Sequence, residues 1–281
     1  MPAPGKINYC IVTTNHGLDR MLIEIHKQLE LTRGPPALYF RLHGACSTLG
    51  WRGLISILTI YVAPIKKVYI VDVLSMCIGC FNFKSPTTKH SIKMILESPL
   101  FPKVFFDLRN DSNTLFITCG IEMNAAHDLQ LMGRARYMAI SESAATQSSD
   151  ENIKESSDSI TAEPNKAFSG SAGKPSPGES NKKNNVPIIN PEVAKFRALY
   201  QTQERTQAAP PIPNGNADYF LQRPLRQGFV RQFLQPIVCR PQLWEMYYDL
   251  PAYYLECYTV WLGARIEWSR SPEYDPRRNA C

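Results

Sequence analysis

No apolar run in this chain is long enough to cross a bilayer. The longest, Leu54 to Val73, is interrupted by Pro64, Lys66 and Lys67 and reads as two strands joined by a turn. The first residues, MPAPGKINYC, lack a charged stretch followed by an apolar one and a small-residue cleavage site, so no export is expected and an intracellular setting, cytoplasmic or nuclear, follows. Histidine is scarce, and CxxC occurs once, at Cys77 and Cys80, without the second ligand pair a structural zinc site needs; His90 is the only nearby addition. The eight cysteines are scattered through apolar context in a chain far larger than a disulfide-stapled miniprotein, which predicts reduced core thiols.

What is present is the composition of a globular protein: 281 residues, 44% hydrophobic and 20% charged, enough for one large domain or two small ones. The net charge of +6 is unevenly spread. Residues 141–185 hold seven acidic residues against five lysines, a net −2, which leaves +8 on the other 236 residues. A basic folded part points weakly to a polyanionic partner.

Apolar positions Leu18, Met21, Leu22, Ile25 and Leu29 recur at spacings of three and four, predicting a helix over 17–31 that ends at Pro35 and Pro36. The period then changes. Residues 37–42, 54–62 and 68–73 are short, rich in Ile, Val, Tyr and Leu, and separated by turns, which predicts three strands in an antiparallel meander. A helix at 92–97, a strand at 104–108, a helix at 111–119 closed by Gly120, a strand at 125–129 and a helix near 130–138 follow, giving an α/β fold with a mixed sheet.

Residues 141–189 carry eleven serines in their first 45 positions and one aromatic, Phe168, and cannot bury enough apolar surface to offset chain entropy. They read as a disordered insertion between 1–140 and 190–281 of one domain. Gly173-Lys174 within it lacks the spacing of a phosphate loop. Asn190, Pro191 and Glu192 announce a new helix, and Pro241 to Ser269 reads as helix with an aromatic stripe (Trp244, Tyr247, Tyr248, Tyr253, Tyr254, Tyr258, Trp261, Trp268) that packs onto the sheet or, less commonly, forms a base-stacking platform.

The run PPALYFRLHGACSTLGWRGLISILTIYVAP (35–64) resembles the first strands of the 3′-5′ exonuclease domain of the RNase H-like superfamily, in the DEDD, RNase D-like group and its fungal-type branch. KVFFDLRNDSNTLF (103–116) is similar to that family's second motif and AAHDLQLM (125–132) to the elements after it; PQLWEMYYDL and ARIEWSRSPEYDP resemble its closing helices. The resemblance covers roughly 7–140 and 190–278. It implies a five-stranded mixed sheet flanked by helices, and four carboxylates holding two Mg²⁺ or Mn²⁺ ions that activate water and stabilise in-line displacement at phosphorus.

On that resemblance the carboxylate set is degenerate. The family's first-strand Asp-x-Glu falls on Arg41-Leu42-His43, and a guanidinium carries a fixed positive charge and no lone pair for a metal. Asp111 stands at the second-motif Asp, with Asp107 as an accessory acid. The third motif, Tyr, three residues, then Asp, falls on Gln232 and Pro236 when counted back from Pro241-Gln242-Leu243-Trp244, with Asp218 or Asp249 as substitutes if the register slips. Three of four ligands are replaced, so no metal is expected at the site, or Asp111 alone if any.

Arg41 either pairs with Asp111 in a structural salt bridge or contacts a phosphate where metals would sit. Arg265, Arg270, Arg277 and Arg278, interleaved with Trp268 and Tyr274, read as a solvated tail or as a basic-aromatic surface for single strands. His43 and His127 beside the strands are packed by default, and Asp128 reads as structural. The expected function is a catalytically degenerate 3′-5′ exonuclease domain that binds RNA or DNA without a cofactor. The alternatives are residual exonuclease activity through Asp107 and Asp111, with or without His43 and with Mg²⁺ or Mn²⁺, and a protein-interaction scaffold, self-associating or with another partner.

Overall fold

A computed structural model describes residues 7–31, 34–44, 54–157, 191–207 and 220–275. Its frame is a six-stranded mixed sheet in the order β1-β4-β3-β2-β5-β6, formed by β1 (Asn8–Val12), β2 (Leu38–Gly44), β3 (Ile55–Val62), β4 (Lys67–Val71), β5 (Lys103–Phe105) and β6 (Ala126–Asp128). The expected meander is present: β2 pairs antiparallel with β3, and β3 with β4. The remaining pairs, β1 with β4, β2 with β5 and β5 with β6, are parallel. The strand beyond the expected five is β1. Its NYCIV is short, and four of its five residues are exposed, so it carries none of the apolar alternation that betrays a half-buried strand.

Period two divides the central strands between two cores. On one face Leu38, Phe40, Leu42, Leu58, Ile60 and Val62 pack with Leu18, Met21, Leu22 and Ile25 of α1 (Asn15–Leu31). On the other, Tyr39, Ile57, Tyr61, Val68 and Ile70 pack with the later helices. Both faces being covered, all eight residues of β3 are buried, and its sequence ISILTIYV is accordingly almost continuously apolar.

The helix α1 begins two residues before the expected start at 17 because Thr14 caps it, its hydroxyl accepting the Gly17 N–H at 3.1 Å. After β4 come α2 (Val73–Met76), α3 (Ile92–Glu97) and α4 (Leu108–Cys119). Gly120 ends α4 in the left-handed conformation, φ 59°, its N–H returning to Leu115 and Phe116 carbonyls. β5 starts one residue earlier than the apolar pattern indicates, because Lys103 is fully buried and its Nζ donates to the Ile95 and Ser98 carbonyls at 2.8 and 2.6 Å, closing the end of α3.

α5 (Leu129–Ser157) runs well past the expected 138. Residues 141–157, expected to be disordered, continue its backbone: Glu, Gln, Ala and Lys among the serines keep helix propensity without needing a core. The rest of that insertion, Gly173-Lys174 included, lies outside the described residues, as do Asn190 and Asp218. α6 (Pro191–Gln207), α7 (Gln227–Val238), α8 (Arg240–Tyr247) and α9 (Ala252–Arg270) complete the second layer. The expected single helical run from Pro241 is thus two helices, divided before Pro251. No helix among the described residues is long and apolar enough to cross a membrane.

Candidate functional site

β2 and β5 pair only through Leu38 with Lys103 and Tyr39 with Val104. Beyond that point they diverge, and side chains from β2, α4 and the α7–α8 junction fill the gap. Arg41 and His43 come from β2, on the face opposite Phe40 and Leu42. Asp111 comes from the first turn of α4, where a carboxylate is favoured by the helix dipole. Arg240 begins α8 and donates to the Phe40 carbonyl.

His43, Asp111 and Arg240 are buried, Arg41 is half-buried, and the four share one electrostatic neighbourhood. Asp111 is 7% exposed and takes a hydrogen bond from the Leu42 N–H. Burial pushes its carboxyl up to about 7, against the pull of Arg41 and Arg240. Burial lowers the pKa of both guanidiniums, and Arg240 also feels Arg41; Asp111 supports the charge of each. His43 is held well below the usual imidazole range by burial and by Arg41 and Arg240, so its ring is neutral. It packs 4.2 Å from the Phe233 ring, and its Nε2 has no hydrogen-bond partner among the described residues.

A second cluster adjoins the first. Asp107 precedes α4 in the left-handed conformation and binds Arg109 through both oxygens at 2.6 and 2.7 Å. Asp128, wholly buried at the end of β6, accepts the N–H groups of Asp107, Leu108 and Gln130 and the Arg265 guanidinium at 2.7 Å. It thereby ties the starts of α4 and α5 together. Arg265 also reaches Gln130 at 2.9 Å and Asp107 at 3.6 Å.

The test of a divalent metal is the donor set. Mg²⁺ and Mn²⁺ require several anionic oxygens around one point. Here the Asp107 and Asp128 oxygens are spent on guanidiniums and backbone amides, and Asp111 lies within the field of Arg41 and Arg240, whose positive charges repel a cation. The residues present do not fit the metal pair that the family resemblance implies.

The other sequence-based site residues fall as follows. Gln232 is exposed on α7, so it does not face the Asp111 cluster, and Pro236 is buried within α7. The residue that reaches Asp111 from this end of the chain is Arg240, four positions beyond Pro236. The reason is geometric: the helix turns from α7 to α8 at Cys239, and fixed spacing from Pro241 ignores that turn. Asp249 is exposed, and its carbonyl takes up Arg136 at 2.6 Å.

Arg265 and Arg270 are committed to the protein rather than to a free tail. Arg270 donates to the Met123 carbonyl at 3.2 Å and lies over the Phe116 ring. Tyr274 is buried, its hydroxyl donating to Asn110. Trp268 is exposed, and Arg277 and Arg278 lie outside the described residues. In the aromatic stripe, Tyr247, Tyr254 and Tyr258 are core, whereas Tyr248 and Tyr253 face solvent. His127 meets the Tyr258 hydroxyl at 3.3 Å and the Trp244 ring edge. Cys77 is exposed and Cys80 buried, and His90 packs on His26 rather than on them.

Sequence reasoning missed Arg240, Asp72 and Arg223. Asp72 caps α2 through the Ser75 N–H and holds Arg223 by two 2.7 Å contacts, while Arg223 also reaches the Ser56 hydroxyl at 3.0 Å. The available signal for Arg240 was a lone base inside the apolar run FLQPIVCRPQLW, a position where a charge must find a buried partner.

No family model matches the chain, and no curated protein matches its sequence. Among solved structures the chain is similar to Trypanosoma brucei RNase D, with 14% identity and a TM-score of 0.55 over 95% of this chain and 74% of that one. It is also similar to the same enzyme in complex with GMP, at 16% identity and TM-score 0.57 over 95% and 66% of the two chains, and to its complex with RNA U12, at 14% and 0.54 over 95% and 72%. The chain shares its fold with these RNase D structures.

Proposed function

We propose that this chain is a degenerate 3′-5′ exonuclease domain that binds nucleic acid without metal-dependent catalysis. The observation that carries the reading is the pair of guanidiniums, Arg41 and Arg240, flanking Asp111 at the place where the resemblance calls for a carboxylate cage. A cage of acids concentrates divalent cations. The same volume filled by two arginines and one acid attracts anions and can neither hold a metal pair nor lower the pKa of a metal-bound water.

The nucleic-acid partner is supported by the RNase D structures bound to GMP and RNA U12 and by the +8 carried outside residues 141–185. Arg41 is the residue of this site assigned to phosphate, and Arg277 remains a second assignment in the C-terminal segment. Arg265 and Arg270 serve the fold first.

The test is degradation of 3′-labelled single-stranded RNA and DNA in Mg²⁺ and in Mn²⁺, beside an Asp111→Ala control. No shortening is expected; shortening that disappears in the control would establish an enzyme. Binding is read separately, by titrating oligonucleotide affinity against salt. Contacts to several phosphates make log affinity fall steeply with log salt, and absence of binding at low salt would leave the protein-scaffold role.

A further inference from the structure

The two ends of the sheet are finished differently. At the β6 end the strand is three residues long, and the backbone N–H of Asp128 donates to the Tyr258 hydroxyl at 3.2 Å. The β1 end has no such cover among the described residues. β1 is five residues long, without proline, charge or bulge, and Tyr9 and Ile11 are each 38% exposed. Protein edges are normally blunted by those devices, because a bare edge templates another strand.

The open groups of this edge can be identified. In a parallel pair, alternate residues turn both backbone groups toward the partner strand. Val12 lies opposite Val71, and its carbonyl accepts the Asp72 N–H at 2.9 Å. Val12, and by period two Cys10 and Asn8, therefore bond to β4. Tyr9 and Ile11 turn N–H and C=O outward, two donors and two acceptors, with a 3.7 Å contact from the Cys10 thiol to the Ile11 carbonyl.

We propose that this edge is a self-association surface on which β1 of a second copy of the chain pairs antiparallel, about a two-fold axis through Cys10, to make one continuous sheet. The case for a second copy rests on self-complementarity. In an antiparallel ladder, directly opposed residues alternate between pairs that exchange both hydrogen bonds and pairs that exchange none. With the axis at Cys10, Tyr9 of one chain opposes Ile11 of the other, and all four outward groups of each strand are used. Cys10 then opposes its own copy as a non-bonded pair, with Cα atoms about 4.5 Å apart, inside the range a disulfide spans. The cross-strand pairs are aromatic against β-branched, a favourable combination, and NYCIV brings no like charges together.

The experiment uses the full chain. Sedimentation across a concentration series should give a mass rising to twice that of one chain, and amide exchange at Tyr9 and Ile11 should slow as concentration rises. Ile11→Lys, a change at an exposed position, should return the single-chain mass with an unchanged circular dichroism spectrum. Oxidised glutathione should link two chains, two Cys10 thiols giving up two electrons and two protons as one glutathione disulfide becomes two glutathione thiols. That product should vanish in Cys10→Ser and persist in Cys77→Ser. A single-chain mass at every concentration with freely exchanging Tyr9 and Ile11 amides would overturn the proposal, as would a dimer that Ile11→Lys leaves intact.

Discussion

The guanidinium of Arg240, 1% exposed at the start of α8, donates a hydrogen bond to the Phe40 carbonyl in β2, two hundred positions earlier in the chain. It brings a second positive charge into the neighbourhood of Arg41 and gives buried Asp111 a second counter-charge. Replacing it with methionine keeps the volume and removes the charge, so the Phe40 carbonyl loses its donor and Asp111 loses part of its compensation. Arg240→Met is expected to cost about 2–4 kcal/mol, read as a lower denaturant midpoint with unchanged slope.

Asp111 should make stability depend on pH with an unusual sign. Its folded-state pKa, about 7, is above the ordinary value of 3.8, so between those limits the folded state holds a proton that the unfolded state has released. Stability from this group therefore falls as pH rises from about 4 to about 7 and is level above. The loss is on the order of a few kcal/mol. Asp111→Asn should flatten that segment of the curve; denaturation of both proteins across the interval checks it, and an unchanged slope would refute the assignment.

Divalent ions should leave the fold unaffected. A ligand bound only by the native state raises the melting temperature by mass action, so a carboxylate cage would reveal itself in millimolar Mg²⁺ or Mn²⁺ and be reversed by a chelator. Arg41 and Arg240 predict no shift in thermal melting with either ion. A clear rise, lost in Asp111→Ala, would show that the cluster takes a metal after all.

Gly133 of α5 is a packing glycine. A Cβ there would lie 2.6 Å from Tyr200 Cε2 of α6 and 3.0 Å from Tyr247 Cε2 of α8. Both are rings inside packed layers, so neither moves cheaply. Although alanine is the better helix former, Gly133→Ala should destabilise by about 1–3 kcal/mol, measured as a lower melting temperature.

The Asp72–Arg223 pair fastens the segment before α7 to the end of β4. Asp72 is 2% exposed, and its hydrogen bonds to Arg223 and Ser75 hold its carboxyl below the usual range despite burial. Asp72→Asn leaves the half-buried Arg223 guanidinium short of its counter-ion, and about 2 kcal/mol of stability should go with it. Limited proteolysis should then cut first in residues 220–226.

Elements whose burial leaves a periodic mark are legible in the sequence: the α1 stripe, the three meander strands, the 92–97 helix and the Gly120 stop. β1 is not, because an exposed edge strand needs no apolar alternation. The length of α5 past residue 140 is hidden for a related reason, since a helix that leaves the core keeps propensity but loses its stripe. Half of the site is legible as well. Arg41, His43, Asp107 and Asp111 sit inside the runs that carry the resemblance, so their places can be read off directly. Arg240 is fixed by a helix junction that spacing does not encode, and counting residues assigns its place to Gln232 and Pro236.

The sequence by itself determined the α/β class and put an arginine and a histidine, not acids, at positions 41 and 43, because apolar period and residue chemistry are local properties. Only the tertiary structure decided which charges meet. Asp107, Asp111 and Asp128 look alike in the chain, yet one is bound bidentately by Arg109, one is buried between two arginines with its pKa near 7, and one ties two helix starts together. Arg265 and Arg270, which look free in sequence, are held by Asp128 and Met123. The role of a charged side chain depends on burial and on its nearest counter-charge, and both come from residues up to two hundred positions away.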